Sequence, residues 1–202
     1  MLFRSGQLAG MGEETLSRRF GKHGLLLYAY VHGLDNEAVR GKNDPEEIKS
    51  IGNSLTFRRD LVSRSDISLG LSSLCESVSY RLRRHGKKCL GVQVAIKDPE
   101  FKTIDRQMRL LTPTHLTKPI YEAAMDLVGR SWKIGDPIRL LSVTAINLTD
   151  GDAGEQMSLF DEGCGEVKQE ALEKSKDKLR QKYGKAVIKP AAALKNDLGI
   201  KE

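Results

Sequence analysis

From Ser50 to Val62 apolar and polar residues alternate, the period of a strand with one face buried. Ile51, Leu55 and Phe57 fall on one side, and Gly52, Ser54, Thr56 and Arg58 on the other. A helical period follows, in which Leu71, Leu74, Cys75, Val78 and Leu82 recur, with Ser65 or Asp66 as its cap and Gly86 as its stop. Cys89 to Lys97 alternates again, with Leu90, Val92, Val94 and Ile96 inward and Gly91, Gln93, Ala95 and Lys97 outward. Asp98-Pro99 predicts a turn, and Lys102 to Leu111 a return strand. Thr117 is placed to cap a second helix, with Pro119 in its first turn, Leu116 set against Tyr121, and Ile120, Ala123, Ala124, Leu127 and Val128 as its apolar face. Ile138 to Leu148 reads as a fourth strand whose inward face is open, because Leu141 and Val143 compete with Leu140 and Ile146.

The order is βαββαβ over residues 50–150: an α+β fold, a four-stranded sheet with both helices on one face. The uncovered face then carries Gly52, Ser54, Thr56, Arg58, Gly91, Gln93, Ala95, Lys97, Thr103, Asp105, Gln107 and Arg109. Either it is an ordinary solvated face, or its small, hydroxyl and cationic residues receive a polyanion such as a phosphate chain. Before it, residues 1–35 show a helix-like run from Glu13 to Phe20 and another from Leu25 to Gly33, and 36–49 reads as a polar linker. Leu16, Phe20, Leu27 and Val31 form a stripe too short to bury itself. After it, 151–202 reads as a Gly/Asp linker, the peptide Gln156-Met157-Ser158-Leu159-Phe160, a charged helix-like stretch from Glu166 to Lys185, and a frayed end.

Net charge is +6, and residues 49–115 alone hold 13 Lys and Arg against 6 Asp and Glu, so a polyanionic partner is expected at the middle block. The cluster Arg81, Arg83, Arg84, His85, Lys87 and Lys88 reads at least as readily as a solvated helix end complementing the dipole as it does as a contact to a polyanion. Three cysteines without a Cys-x-x-Cys pair indicate neither a disulfide framework nor a zinc site. With no run of about 18 apolar residues and no signal-peptide pattern, the chain is expected to be cytoplasmic and to have no membrane partner.

Arg19-Phe20-Gly21-Lys22-His23-Gly24, Gly33-Leu34-Asp35, Lys49-Ser50-Ile51-Gly52, Lys102-Thr103-Ile104, Thr117 to Ala124 and Gly135-Asp136-Pro137-Ile138-Arg139, in this order and spacing, resemble the C-terminal half of Y-family lesion-bypass DNA polymerases, the DNA polymerase IV and UmuC group. The resemblance covers about residues 7 to 189. It implies that residues 1–35 are a helical thumb remnant and that 50–150 are the little finger domain, which lies along duplex or primer-template DNA. On the uncovered face and at its start, the DNA-binding residues are expected to be Ser50, Gly52, Ser54, Thr56, Arg58, Lys97, Thr103, Asp105, Gln107 and Arg109. Gln156, Met157, Leu159 and Phe160 look like the peptide by which bacterial polymerases dock on the sliding clamp. The family keeps its Mg²⁺-binding carboxylates in a palm, and no motif of that palm stands in these residues, so no catalytic or metal-binding residue is assigned. Asp98 and Glu100 read as turn residues. The chain is expected to be a fragment or truncated homologue that relies on palm and fingers domains and does not polymerise DNA alone. A non-catalytic, clamp-bound DNA-binding adaptor is the alternative. An RRM-like RNA-binding module shares the element order but lacks aromatics on the open face.

Overall fold

The computed structural model describes residues 4–36, 48–151, 164–184, 187–188 and 197–200. The chain divides into two compact units, Met1–Glu46 and Glu47–Glu202. The first holds α1 (Ser5–Ala9), α2 (Glu13–Phe20) and α3 (Lys22–Val31). α2 carries Glu13 and Glu14 in its first turn and Arg18 and Arg19 in its last, complementing its dipole. Gly21, at φ +58°, turns the chain directly into α3, which therefore begins at Lys22 and not at Leu25. Of the expected stripe only Leu16 is buried, and Phe20 is 48% exposed.

The second unit contains β1 (Ile51–Leu61), α4 (Arg64–Arg84), β2 (Lys87–Lys97), β3 (Thr103–Thr114), α5 (Thr117–Ser131), β4 (Ile138–Asp150) and α6 (Cys164–Tyr183). The four strands form one antiparallel sheet in the order β1-β4-β2-β3. β1 and β2 are thus parallel to each other with β4 between them, and β3 and β4 are parallel with β2 between them. Each such pair is joined by a helix, α4 or α5, giving two interleaved split β-α-β units. Both helices pack on the same core: Leu71, Leu74, Val78 and Leu82 of α4 and Ile120, Ala124 and Val128 of α5 join Ile51, Phe57, Val92, Val94, Ile96, Leu141 and Val143.

Local chemistry sets the ends. Ser63 caps α4, its Oγ accepting the Asp66 amide at 3.0 Å, because it is the last residue with extended backbone; Ser65 and Asp66 already lie in the first turn. Pairing of β2 with β3 slips between Cys89 and Gly91, so the alternation changes there and Cys89 is buried in place of Leu90. Cys75 and Cys89 are free, and burial pushes both thiols up to about 12.

α6 is a third helix on the helical side. Arg83, at the end of α4, places one guanidinium against Glu173 and Asp177 of α6 and donates to the His115 carbonyl at 3.0 Å. Glu173 accepts the Thr117 amide at 3.0 Å, so a carboxylate from α6 caps α5, and the expected Thr117 side-chain cap is replaced. Lys176 and Arg180 hold Glu76 of α4 at 3.2 and 2.9 Å. Burial pushes the Glu76 carboxyl up, but these two cations hold it below the usual range.

Residues 197–200, within the stretch expected to fray, are docked. Leu198 is 1% exposed within the core, its carbonyl accepts the Arg58 amide at 3.0 Å, and Asp197 shares the Arg59 guanidinium with Asp66. Hydrogen bonds from Arg59 hold Asp66 at about 2.

Arg83→Ala strands two carboxylates in a site where all three side chains are at most 13% exposed. We expect urea unfolding to show a loss of about 3–5 kcal/mol. Arg83→Ala combined with Glu173→Gln and Asp177→Asn should recover part of that loss, because the stranded charges are gone.

Candidate nucleic-acid interface

The register of the sheet arranges its uncovered face into rows running across all four strands. Gly52, Thr144, Gln93 and Gln107 form one row; Ser54, Ser142, Ala95 and Asp105 the next; Thr56, Leu140, Lys97 and Thr103 a third. Beyond the first row, Ile146, Gly91 and Arg109 continue the face toward the other end. The sequence-predicted residues from these strands are therefore neighbours on one surface. Ser50 lies just before β1 and is exposed, and Arg58 lies past Thr56 where the pairing of β1 with β4 becomes irregular.

The face is cationic at its margins and neutral at its centre. Arg58 on β1 and Arg109 on β3 are exposed on the two edge strands, and Lys97 is half-buried on β2. The stem of Arg58 lies close over Gly199, where an added Cβ would come within 2.4 Å of its Cγ, so the docked chain end steadies it. Arg59 is spent on Asp66 and Asp197. Asp105 is the one acidic side chain in the three rows, beside Ala95. Hydroxyl and amide side chains fill the middle, and they can donate to or accept from phosphate and sugar oxygens without reading a base.

β4 supplies Ser142 and Thr144, which the sequence reading left out. Leu141, Val143 and Ala145 are fully buried, so the open question of the fourth strand is settled in favour of the odd-numbered set. The signal was present in the two hydroxyls that alternate with three apolar residues. The glycines also have a different reason from the one expected. A Cβ on Gly52 would lie 2.5 Å from Thr144 Oγ1, and one on Gly91 2.8 Å from Ile146 Cγ1, so the room above both belongs to side chains of β4.

Half of the basic cluster at the end of α4 and the start of β2 makes contacts within the domain. Arg81 donates to the Gly52 carbonyl at 2.7 Å, Arg83 is buried by α6, and Lys87 pairs with Asp150 at 2.6 Å; Arg84 and His85 are exposed. Gln156, Met157, Leu159 and Phe160 lie outside the described residues.

Residues 48–159 match the family model described as the impB/mucB/samB family C-terminal domain. The chain belongs to that family. It is 39% identical over 184 residues to the DNA polymerase IV of Acetivibrio thermocellus, a match covering 91% of this chain and 46% of the relative. It is 30% identical over 196 residues to that of Clostridium kluyveri (94% and 48%) and 33% over 192 residues to that of Clostridium acetobutylicum (95% and 47%). The chain therefore spans about half the length of the curated relatives it matches. The resemblance to the C-terminal part of Y-family polymerases holds across nearly all of it.

Among the described residues no group of three His, Cys, Asp or Glu side chains could hold a metal ion. Asp98 accepts the Lys102 amide at 2.8 Å within the β2–β3 turn, and Glu100 is exposed beside it. Among the described residues, no helix is long and apolar enough to cross a membrane.

Because Thr144 fills the space above Gly52, Gly52→Ala should lower stability by about 1–3 kcal/mol in thermal or urea unfolding. Gly52→Ala combined with Thr144→Ala should regain most of it. An unchanged loss in the double variant would count against this packing.

Proposed function

We propose that this impB/mucB/samB family domain grips duplex DNA near a primer terminus during damage bypass and repair synthesis, holding phosphates and reading no base. The observation that carries this reading is the uncovered sheet face, whose aligned rows offer hydroxyls, amides and cations with no aromatic side chain in them. The relatives' name, DNA polymerase IV, supports DNA as the partner. Nucleotide transfer and its Mg²⁺ belong, in this reading, to palm and fingers domains of the parent polymerase. The RNA alternative loses ground because the rows present no ring on which bases could stack. The site of action is the cytoplasm.

Binding of this kind is weak, tolerant of sequence and steeply salt-dependent. Arg58→Ala, Lys97→Ala and Arg109→Ala together should weaken binding to blunt duplexes of any sequence and flatten the salt slope. A titration with strong preference for one sequence, or an unchanged triple variant, would contradict the proposal.

We further propose that Gln156-Met157-Ser158-Leu159-Phe160 docks on the bacterial sliding clamp, with Gln156 hydrogen-bonded and Met157, Leu159 and Phe160 against an apolar pocket. Burying Leu159 and Phe160 is worth about 3–6 kcal/mol before ordering costs, in keeping with micromolar binding. A peptide spanning residues 155–162 should bind the clamp in calorimetry, and Leu159→Ala with Phe160→Ala should abolish it. Equal affinity for the double variant would sink the assignment.

A further inference from the structure

The β2–β3 hairpin breaks a local rule. The Phe101 amide donates to the Asp98 carbonyl at 3.2 Å and the Asp98 amide to the Lys102 carbonyl at 3.0 Å, which leaves position 101 with a left-handed backbone, φ +66°. Three-residue hairpin loops of this kind favour glycine there, and a bulky aromatic residue at positive φ is uncommon. Burial does not explain it, since Phe101 is 74% exposed. The ring does have one neighbour with a charge: Lys97 Nζ lies 5.8 Å from its centroid.

Position matters as much as strain. Lys97 stands in the row of Thr56, Leu140 and Thr103, at the end of the uncovered face next to the hairpin. Phe101 thus sits at the margin of the surface that we assign to duplex DNA. A paired duplex has no use for an exposed ring, because its bases are stacked on one another. An unpaired nucleotide does: a base stacks on an aromatic face in a sequence-tolerant way, and a nearby cation takes its phosphate. Asp98 accepts the Lys102 amide within the loop, and Glu100 is exposed to solvent.

We infer that Phe101 and Lys97 form a subsite for a single-stranded DNA segment leaving the duplex, with the base stacked on the Phe101 ring and the phosphate at the Lys97 ammonium. This rests on the duplex-binding reading above and adds the junction to it. The hairpin accepts a strained backbone to keep the ring at that edge.

The test measures binding of the 202-residue chain by anisotropy to a blunt duplex and to the same duplex with a single-stranded 5′ extension. The wild type should bind the extended duplex several-fold more tightly. Phe101→Gly should erase that gain, leave blunt-duplex affinity unchanged, and raise or preserve the thermal midpoint, since glycine relieves the backbone. Phe101→Trp should keep the gain, and its added fluorescence should be quenched by the extended duplex alone. If Phe101→Gly keeps the full gain, or the wild type has none, the subsite is refuted, and an exposed ring serving a protein partner would give the first of these results. Failure of the duplex reading looks different: blunt-duplex binding itself would then be unaffected by the Arg58, Lys97 and Arg109 variants.

Discussion

One-sided burial of β4 is the constraint on which the second unit depends. This strand lies inside the sheet, paired on both sides, and Ile138, Leu141, Val143 and Ala145 are each at 0% exposure, with α4 packed over the strand. A slip of one residue would turn Leu141, Val143 and Ala145 outward and push Ser142 and Thr144 into the core. Exposing Leu141 and Val143 alone forfeits about 3–6 kcal/mol, a large share of the whole stability of a domain. The register is therefore fixed. With it, the rows from Gly52 to Gln107 and from Ser54 to Asp105 are fixed too, so the proposed interface is a by-product of the core's alternation.

The helical layer is held by a different interaction. α4 and α5 reach the sheet through apolar contacts, whereas α6 presents carboxylates and cations to them. Arg83 pairs with both Glu173 and Asp177 where water is largely excluded, and Glu173 also satisfies an amide at the start of α5. This arrangement draws Arg83 away from the surface. It also leaves the cationic character of the uncovered face to Arg58, Lys97 and Arg109.

The sequence made the element order and the two-helix, one-face architecture legible, because the period switches between two and 3.6 at Arg64, Lys87, Thr117 and Ile138, and the Asp98-Pro99 turn separates β2 from β3. Four things were not legible, each for a physical reason. The inward face of β4 stayed open because Leu140 and Ile146 match Leu141 and Val143 in hydrophobicity, and the signal that separates them lies in the hydroxyls of Ser142 and Thr144. The caps supplied by Ser63 and Glu173 differ from those expected, since the latter comes from a helix 56 residues away in sequence. Arg83 and Arg84 are adjacent and chemically identical, yet one is buried and the other exposed, a distinction that depends on where α6 docks. Leu198 follows a polar, small-residue stretch, and nothing in its immediate sequence marks it as part of the core.

The central claim is that the uncovered sheet face, and not the helical layer, meets the nucleic acid. Backbone amide shifts of the isotopically labelled chain, followed by NMR during titration with a short blunt duplex, address it directly. The account predicts that Gly52, Ser54, Gln93, Ala95, Gln107, Ser142 and Thr144 move together with the DNA concentration, while residues of α4, α5 and α6 stay in place. Shifts concentrated on Ser72, Tyr121, Leu172 and Lys176, on the helical side, would contradict it.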